Sequence, residues 1–170
     1  MKRVLCLFLW LGVLAAFSQQ VDTTTTGFMI QYHCLVSQTP DQAFETFVQD
    51  IGKWWNGNHT YTTVAENMHF RTETGGGLYE TLEGDGWVEH LSLVYHAPGK
   101  ELRLAGGLGP LQHMAVSGIM TVTFEGVEIG TKVNLVYKVN GEMGLGKWGG
   151  PVGSVLKKQF DRYETYCAED

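Results

Sequence analysis

Alternating apolar and polar residues predict β-strands through most of this chain. In Phe28–Val36 the apolar side chains of Ile30, Tyr32 and Cys34 fall on one face, and in Thr131–Asn140 every second residue is apolar. This period of two is typical of strands with one buried face. Five further strands are predicted at Asn67–Arg71, Leu78–Leu82, Trp87–Tyr95, Glu101–Ala105 and Ser117–Phe124.

Apolar residues at helical spacing predict helices in two places. After the first strand, Thr39–Gln42 has the pattern of a capping box with proline at the first helical position, and a short helix follows until Gly52. Lys53–Trp55 begins a second short helix or turn. At the carboxyl end, a helix from about Pro151 to Tyr166 has an apolar stripe. The stripe comprises Val152, Val155, Leu156, Phe160, Tyr163 and Cys167.

These elements predict an α+β fold. Short connections favour an antiparallel sheet, here of seven strands, with two short helices after the first strand. The long C-terminal helix must bury its stripe, and the apolar face of the sheet is the available surface. A curved sheet that surrounds one helix encloses space between them. We therefore expect a closed, mostly apolar cavity of several hundred Å³.

The first 18 residues have the pattern of a secretory signal peptide. Lys2 and Arg3 precede an uncharged apolar run, Val4–Phe17, which is shorter than the roughly 20 residues of a membrane-spanning helix. An uncleaved anchor or a buried helix is the alternative. We expect cleavage after Ser18, no stable membrane span after it, a loose lead-in over residues 19–27, one domain over 28–168, and a secreted or periplasmic location.

Charge and motif spacing argue against several partners. The net charge of −6 disfavours nucleic acid. Gly144–Gly149 fits the dinucleotide-binding pattern GxGxxG, but no parallel strand with an acidic residue follows it. The overlapping Gly141–Lys147 fits the start of a phosphate-binding loop, GxxxxGK, but Trp148 stands where that loop needs Ser or Thr. The histidines and cysteines lack the spacing of metal sites. We therefore predict no nucleotide, metal or other cofactor.

Two cysteines remain after the signal segment, Cys34 and Cys167. In an exported protein a disulfide between them would persist and would close a long loop, contributing about 4 kcal/mol. Two buried thiols that are not joined are the alternative. The sequence does not decide between these two states, because it does not give the distance between the sulfur atoms.

Several short motifs, taken in order, resemble the SRPBCC (START-like) superfamily, which includes birch-pollen-allergen-type proteins. The resemblance spans about residues 27–168 and is greatest to its polyketide-cyclase-like or heat-shock-ATPase-activator-like branch. It implies a helix-grip fold with a cavity for a small apolar molecule, but no particular reaction. The motifs are Thr39–Phe44 with Trp54–Trp55, Gly76–Glu80, Gly99–Leu104 with Gly109–Leu111, and Gly130–Thr131.

Candidate ligand-binding residues come from the aromatic segment after the helices, the long strands, the glycine-rich loops and the final helix. Glu89 and His90 are neighbours in one strand, so only one of them can enter the cavity. Alternation leaves open which one does, because both faces of that strand are apolar. The full set is Trp54, Trp55, His59, Tyr61, Trp87, Glu89, His90, His113, Tyr137, Trp148, Leu156 and Phe160.

Three functions fit this pattern. The first is an exported protein that binds a small apolar molecule. The second is a cofactor-free cyclase or hydrolase that uses a cavity acid or base such as Glu80, Glu89 or His90; no catalytic set is readable, and such an enzyme needs titratable groups that converge in the cavity. The third is a protein-interaction module, which would need an exposed apolar patch above a few hundred Å².

Overall fold

The computed structural model describes residues 19–169, and the proposed signal peptide lies outside them. Within this range the protein has the expected α+β class, with an open antiparallel sheet and a long C-terminal helix. The described strands number eight instead of seven, in the order β1-β2-β8-β7-β6-β5-β4-β3. Their bounds are β1 Gln20–Thr23, β2 Gly27–Val36, β3 Met68–Arg71, β4 Gly77–Thr81, β5 Trp87–Ala97, β6 Glu101–Ala105, β7 Ser117–Val127 and β8 Gly130–Asn140.

The additional strand is β1, in the segment that we expected to be loose. It pairs antiparallel with β2, with Val21 opposite Ile30. Val21 is half-buried against the core, and the side-chain amide of Gln19 donates a hydrogen bond of 2.5 Å to the carbonyl oxygen of Gly153. One apolar anchor in a threonine-rich segment gives no alternation, so the pattern could not reveal a strand that is held mainly by backbone pairing.

Two short helices lie between β2 and β3, as predicted, but the break between them is at Asp50 rather than at Gly52. Helix α1 spans Pro40–Gln49 and α2 spans Ile51–Trp54. The capping box is present: the Gln42 amide donates to Thr39 Oγ1 at 3.4 Å, and the Thr39 amide donates to Gln42 Oε1 at 3.0 Å. These bonds satisfy amide groups that a helix start otherwise leaves without partners, so the sequence itself fixes where α1 begins.

Helix α3 spans Gly149–Glu169 and packs on the same face of the sheet as α1 and α2. In β8, Val133, Leu135 and Val139 are fully buried on this face, as the alternation predicted. The hydroxyl of Tyr163 donates to the carbonyl oxygen of Ala43 at 2.7 Å and so ties α3 to α1. The C-terminal half of α3 is therefore fixed in a dense core, while its N-terminal half borders open space.

Candidate functional site

A cavity of about 390 Å³ lies between the N-terminal half of α3, strand β5 and two loops. Its lining is mostly apolar and it is partly open to solvent, where the sequence analysis expected a closed one. The cavity lies between the sheet and the C-terminal helix, at the position where the sequence predicts one. The lining residues are Trp55, His59, Thr60, Tyr61, His90, Leu108, Gly109, Pro110, Trp148, Pro151, Val152, Val155 and Leu156.

The segment after α2 supplies one wall of this cavity. Trp55 is buried, and its indole N–H donates to the carbonyl oxygen of His59 at 3.3 Å, which fixes the turn around the ring. Tyr61 is half exposed at the rim. Its hydroxyl donates to Gln112 Oε1 at 2.9 Å, and the Gln112 amide donates to the carbonyl oxygen of Glu89 at 2.9 Å. Gln112 thereby joins this wall to β5.

The Leu108–Pro110 loop forms a second wall and is held from beneath by Tyr137. The Leu108 amide donates to the hydroxyl of Tyr137 at 3.1 Å, and that hydroxyl donates to the carbonyl oxygen of Gly106 at 2.8 Å. Burial raises the pKa of Tyr137 to about 12. The hydroxyl therefore keeps its proton and can act as donor and acceptor at once.

The third wall is the start of α3 and the turn before it. Leu145, in the Gly144–Gly149 connector, is fully buried, and a side chain at Gly146 would collide with the backbone oxygen of Thr24. Close packing on the β1–β2 turn thus accounts for a glycine of the GxGxxG pattern. Trp148 borders the cavity, and its indole Nε1 is buried without a hydrogen-bond partner in the described part of the chain.

His90 reaches the cavity because strand β5 contains a bulge. Leu78 of β4 pairs with Leu91, but the next residue, Tyr79, pairs with Glu89, so His90 is the additional residue. Both His90 and Leu91 are buried, which breaks the strict alternation. A bulge commonly redirects a side chain in this way. The structure places His90 at the cavity and leaves Glu89 outside it.

Glu80 of β4 lies beside His90 and is completely buried. Its Oε2 lies 3.0 Å from His90 Nε2 and accepts the Tyr61 amide at 3.0 Å. Its Oε1 accepts both the amide and the hydroxyl of Thr62, each at 2.7 Å. The carboxylate therefore fixes the loop that carries Tyr61 and orients the imidazole in a single arrangement.

The charges of this pair follow from its surroundings. Burial acts to raise the pKa of Glu80, but the hydrogen bonds from Tyr61, Thr62 and His90 outweigh it and hold the pKa below 4.5. Burial also lowers the pKa of His90 below 6.5, and the hydrogen bond to Glu80 offsets this only in part. At neutral pH Glu80 is ionised and His90 is neutral. Since Glu80 can only accept, the ring proton of His90 is on Nε2 and Nδ1 has the lone pair.

The predicted site residues fall into three groups. Six of them surround the cavity together, namely Trp55, His59, Tyr61, His90, Trp148 and Leu156. Trp54, Tyr137 and Phe160 are buried in the core instead; the Phe160 ring packs against Tyr32 with ring centres 5.4 Å apart. Trp87, Glu89 and His113 do not line the cavity.

Residues outside the cavity have local reasons for their positions. Trp87 is 60% exposed and packs its ring edge against Tyr79, at 5.8 Å between ring centres. Glu89 accepts a hydrogen bond from the hydroxyl of Ser92. Because the bulge lies between Trp87 and Leu91, these residues do not share a face, although strict alternation would put them on the same one. His113 is exposed after the Leu108–Pro110 loop.

Sequence reasoning did not select seven cavity residues. Three of them lie in α3 close to Leu156, and this proximity could have identified them: Pro151 and Val152 are about one helical turn before it, and Val155 is its neighbour. The Gly109–Pro110 pair marked a turn but not its contact with the cavity. Thr60 and Leu108 have no distinctive pattern, because their position depends on loops whose course only the tertiary structure fixes.

Cys34 and Cys167 are both buried. Burial raises the pKa of the Cys34 thiol, with Glu164 and Cys167 acting in the same direction. Within residues 19–169, no three His, Cys, Asp or Glu side chains are grouped closely enough to hold a metal ion. No helix among these residues is long and apolar enough to cross a membrane.

The chain matches no protein-family model and no curated protein. Its fold is nevertheless similar to solved structures. CalU16 from Micromonospora echinospora has a TM-score of 0.58 and 11% identity, over 89% of this chain and 86% of that one. An uncharacterised protein from Rhizobium leguminosarum has a TM-score of 0.60 and 13% identity, over 90% of this chain and 99% of that one. A protein from Staphylococcus saprophyticus has a TM-score of 0.59 and 18% identity, over 81% of this chain and 90% of that one. These similarities establish a shared fold.

Proposed function

We propose that this protein is an exported member of the SRPBCC superfamily that binds a small, largely apolar molecule in the cavity beside α3. The order of sequence motifs and the shared fold support the superfamily, and the pattern of residues 1–18 supports export. The observation that carries the binding function is the cavity itself, an apolar space bordered by Val152, Val155 and Leu156.

The volume suits a molecule of modest size. Removal of apolar surface from water contributes about 25 cal/mol per Å², so a ligand that buries roughly 250 Å² gains about 6 kcal/mol. This gain corresponds to a dissociation constant of the order of 10 µM before the entropic cost of binding. Binding in this range can be measured with a fluorescent probe, and it does not require a charged group on the ligand.

A polar group at the wall would orient such a molecule, because His90 lines the cavity and has a lone pair on Nδ1. A cavity with a few polar groups on an apolar wall is typical of sites for small molecules. The ligand is therefore expected to carry at least one polar atom.

Binding of N-phenyl-1-naphthylamine, a neutral apolar fluorophore, tests this function. We expect saturable binding to the unmodified protein. Val155→Trp, which fills the cavity from α3, should weaken that binding by about tenfold or more, the effect of 1.4 kcal/mol. Val94→Trp is the matched control, since Val94 is 56% exposed on β5 and does not line the cavity. Absence of saturable binding, or equal binding by both variants, would contradict the proposal.

A further inference from the structure

The Glu80–His90 pair has an arrangement that ligand binding alone does not require. A buried carboxylate accepts four hydrogen bonds, one of them from the imidazole at 3.0 Å. The imidazole lies at the wall of an apolar cavity. Its Nδ1 makes no hydrogen bond within residues 19–169. A basic nitrogen thus borders the space in which a ligand would lie.

We propose that His90 is a general base that removes a proton from a molecule bound in the cavity, with Glu80 as the positioning residue. This inference rests on the proposed binding function. Glu80 fixes the tautomer, because its carboxylate holds the proton on Nε2 and leaves Nδ1 to accept. It also stabilises the imidazolium that forms when Nδ1 takes the proton, as a carboxylate beside a catalytic histidine does.

The substrate class follows from the groups at the cavity. An apolar carbonyl compound fits the apolar lining, and its α C–H is acidic enough for a neutral imidazole such as that of His90 to attack. The C–H bond breaks, a bond from the proton to Nδ1 forms, and the electron pair moves to the carbonyl oxygen as an enolate. In a β,γ-unsaturated carbonyl compound this enolate is a dienolate, and return of the proton from Nδ1 to its γ carbon moves the double bond into conjugation with the carbonyl group. This isomerisation needs no oxidant, reductant or metal.

The groups that face His90 set its working pH range. Glu80 comes from β4, the ring of Tyr61 lies 5.9 Å away between ring centres, and His59 borders the same cavity. Burial keeps the pKa of His90 below 6.5 despite Glu80. The free base therefore predominates at neutral pH, which is the form that a general base needs.

Elimination of 5-nitrobenzisoxazole tests the base directly in the full chain. In this reaction the base takes the proton from C3, the N–O bond breaks, and 2-cyano-4-nitrophenolate forms and absorbs visible light. The imidazolium then returns its proton to water. We expect saturable turnover above the buffer rate, with a rate that rises with pH through a midpoint below 6.5 and is level above it.

Substitutions separate the base from its surroundings. His90→Gln should lower the turnover by about 100-fold, within the range of general-base catalysis. His113→Gln is the matched control and should change nothing, because His113 is exposed outside the cavity. Glu80→Gln should lower the rate and move the midpoint to lower pH, since Glu80 raises the pKa of His90. A merely structural role of Glu80 would not move the midpoint.

The possible results are distinct. Turnover that survives in His90→Gln overturns the inference. A flat pH profile in the unmodified protein also overturns it, and that measurement does not depend on whether a variant folds. Binding of N-phenyl-1-naphthylamine without turnover overturns the base alone and leaves the binding function standing. Absence of both binding and turnover overturns the two proposals together.

Discussion

The hydroxyl of Tyr137 donates a hydrogen bond of 2.8 Å to the carbonyl oxygen of Gly106, from the middle of a fully buried strand face. The hydroxyl oxygen of Tyr137 also accepts a hydrogen bond of 3.1 Å from the Leu108 amide. One phenol in the core thereby fixes both ends of the turn that leads to the cavity loop. The sequence suggests Tyr137 as a ligand contact, but in the structure its side chain supports the loop from the core.

Tyr137→Phe is expected to lower the free energy of unfolding by about 1–3 kcal/mol. The change removes both hydrogen bonds and leaves the Leu108 amide and the Gly106 carbonyl oxygen without this partner. Urea unfolding followed by tryptophan fluorescence measures the effect. Because the loop moves more freely, probe binding should also weaken. Tyr95→Phe is the control, since Tyr95 is 42% exposed and forms no wall of the cavity. Equal stability of the two variants would show that Tyr137 does not support the loop.

Much of the fold could be predicted because single strands and helices carry their own periodicity. In β8 the buried residues are the ones that the alternation selected, and α1 begins at the predicted capping box. These features depend on neighbours within a few positions of the chain. The order of short helices, sheet and long helix then follows from the need to bury one apolar face of each element.

The candidate site was less predictable because it depends on exceptions to periodicity. The bulge at His90 changes which residues of β5 face inward, and nothing in the alternation of that strand marks it. Leu108 and Pro110 reach the cavity through loop geometry. Strand β1 has only Val21 as an apolar anchor. In each case the decisive interactions join residues that are distant in sequence.

Protonation of the Glu80–His90 pair is expected to destabilise the protein as the pH falls. The folded pKa of Glu80 lies below its ordinary 4.5, so its contribution is present above 4.5 and is lost as the pH falls through the folded value. The pKa of His90 in the folded protein also lies below its ordinary 6.5. Below pH 6.5 the unfolded chain therefore binds this proton more readily than the folded protein does, which lowers the free energy of unfolding. Both effects have the same sign.

Urea midpoints at pH 7.5, 5.5 and 4.0 measure this dependence. Glu80→Gln should lower the free energy of unfolding at pH 7.5 by about 1–3 kcal/mol, because buried donors lose a charged acceptor. The deficit should shrink at pH 4.0. Glu89→Gln is the matched control on the neighbouring strand and should differ little from the unmodified protein. A deficit for Glu80→Gln that is constant across all three pH values would contradict this assignment.

The state of Cys34 and Cys167 can be decided by thiol counting. Both are only 1% exposed, so a reagent does not reach either of them in the folded protein, and burial also raises the pKa of Cys34. In a chain that begins at Gln19, and so lacks Cys6, we expect both to react with a disulfide reagent in urea without prior reduction. In the folded protein the reaction should be slower by a factor of about 100 or more, because it requires local unfolding. Cys34→Ala should remove one of the two reactive groups in urea. A count of zero in urea that becomes two after reduction would show instead that a disulfide joins β2 to the end of α3.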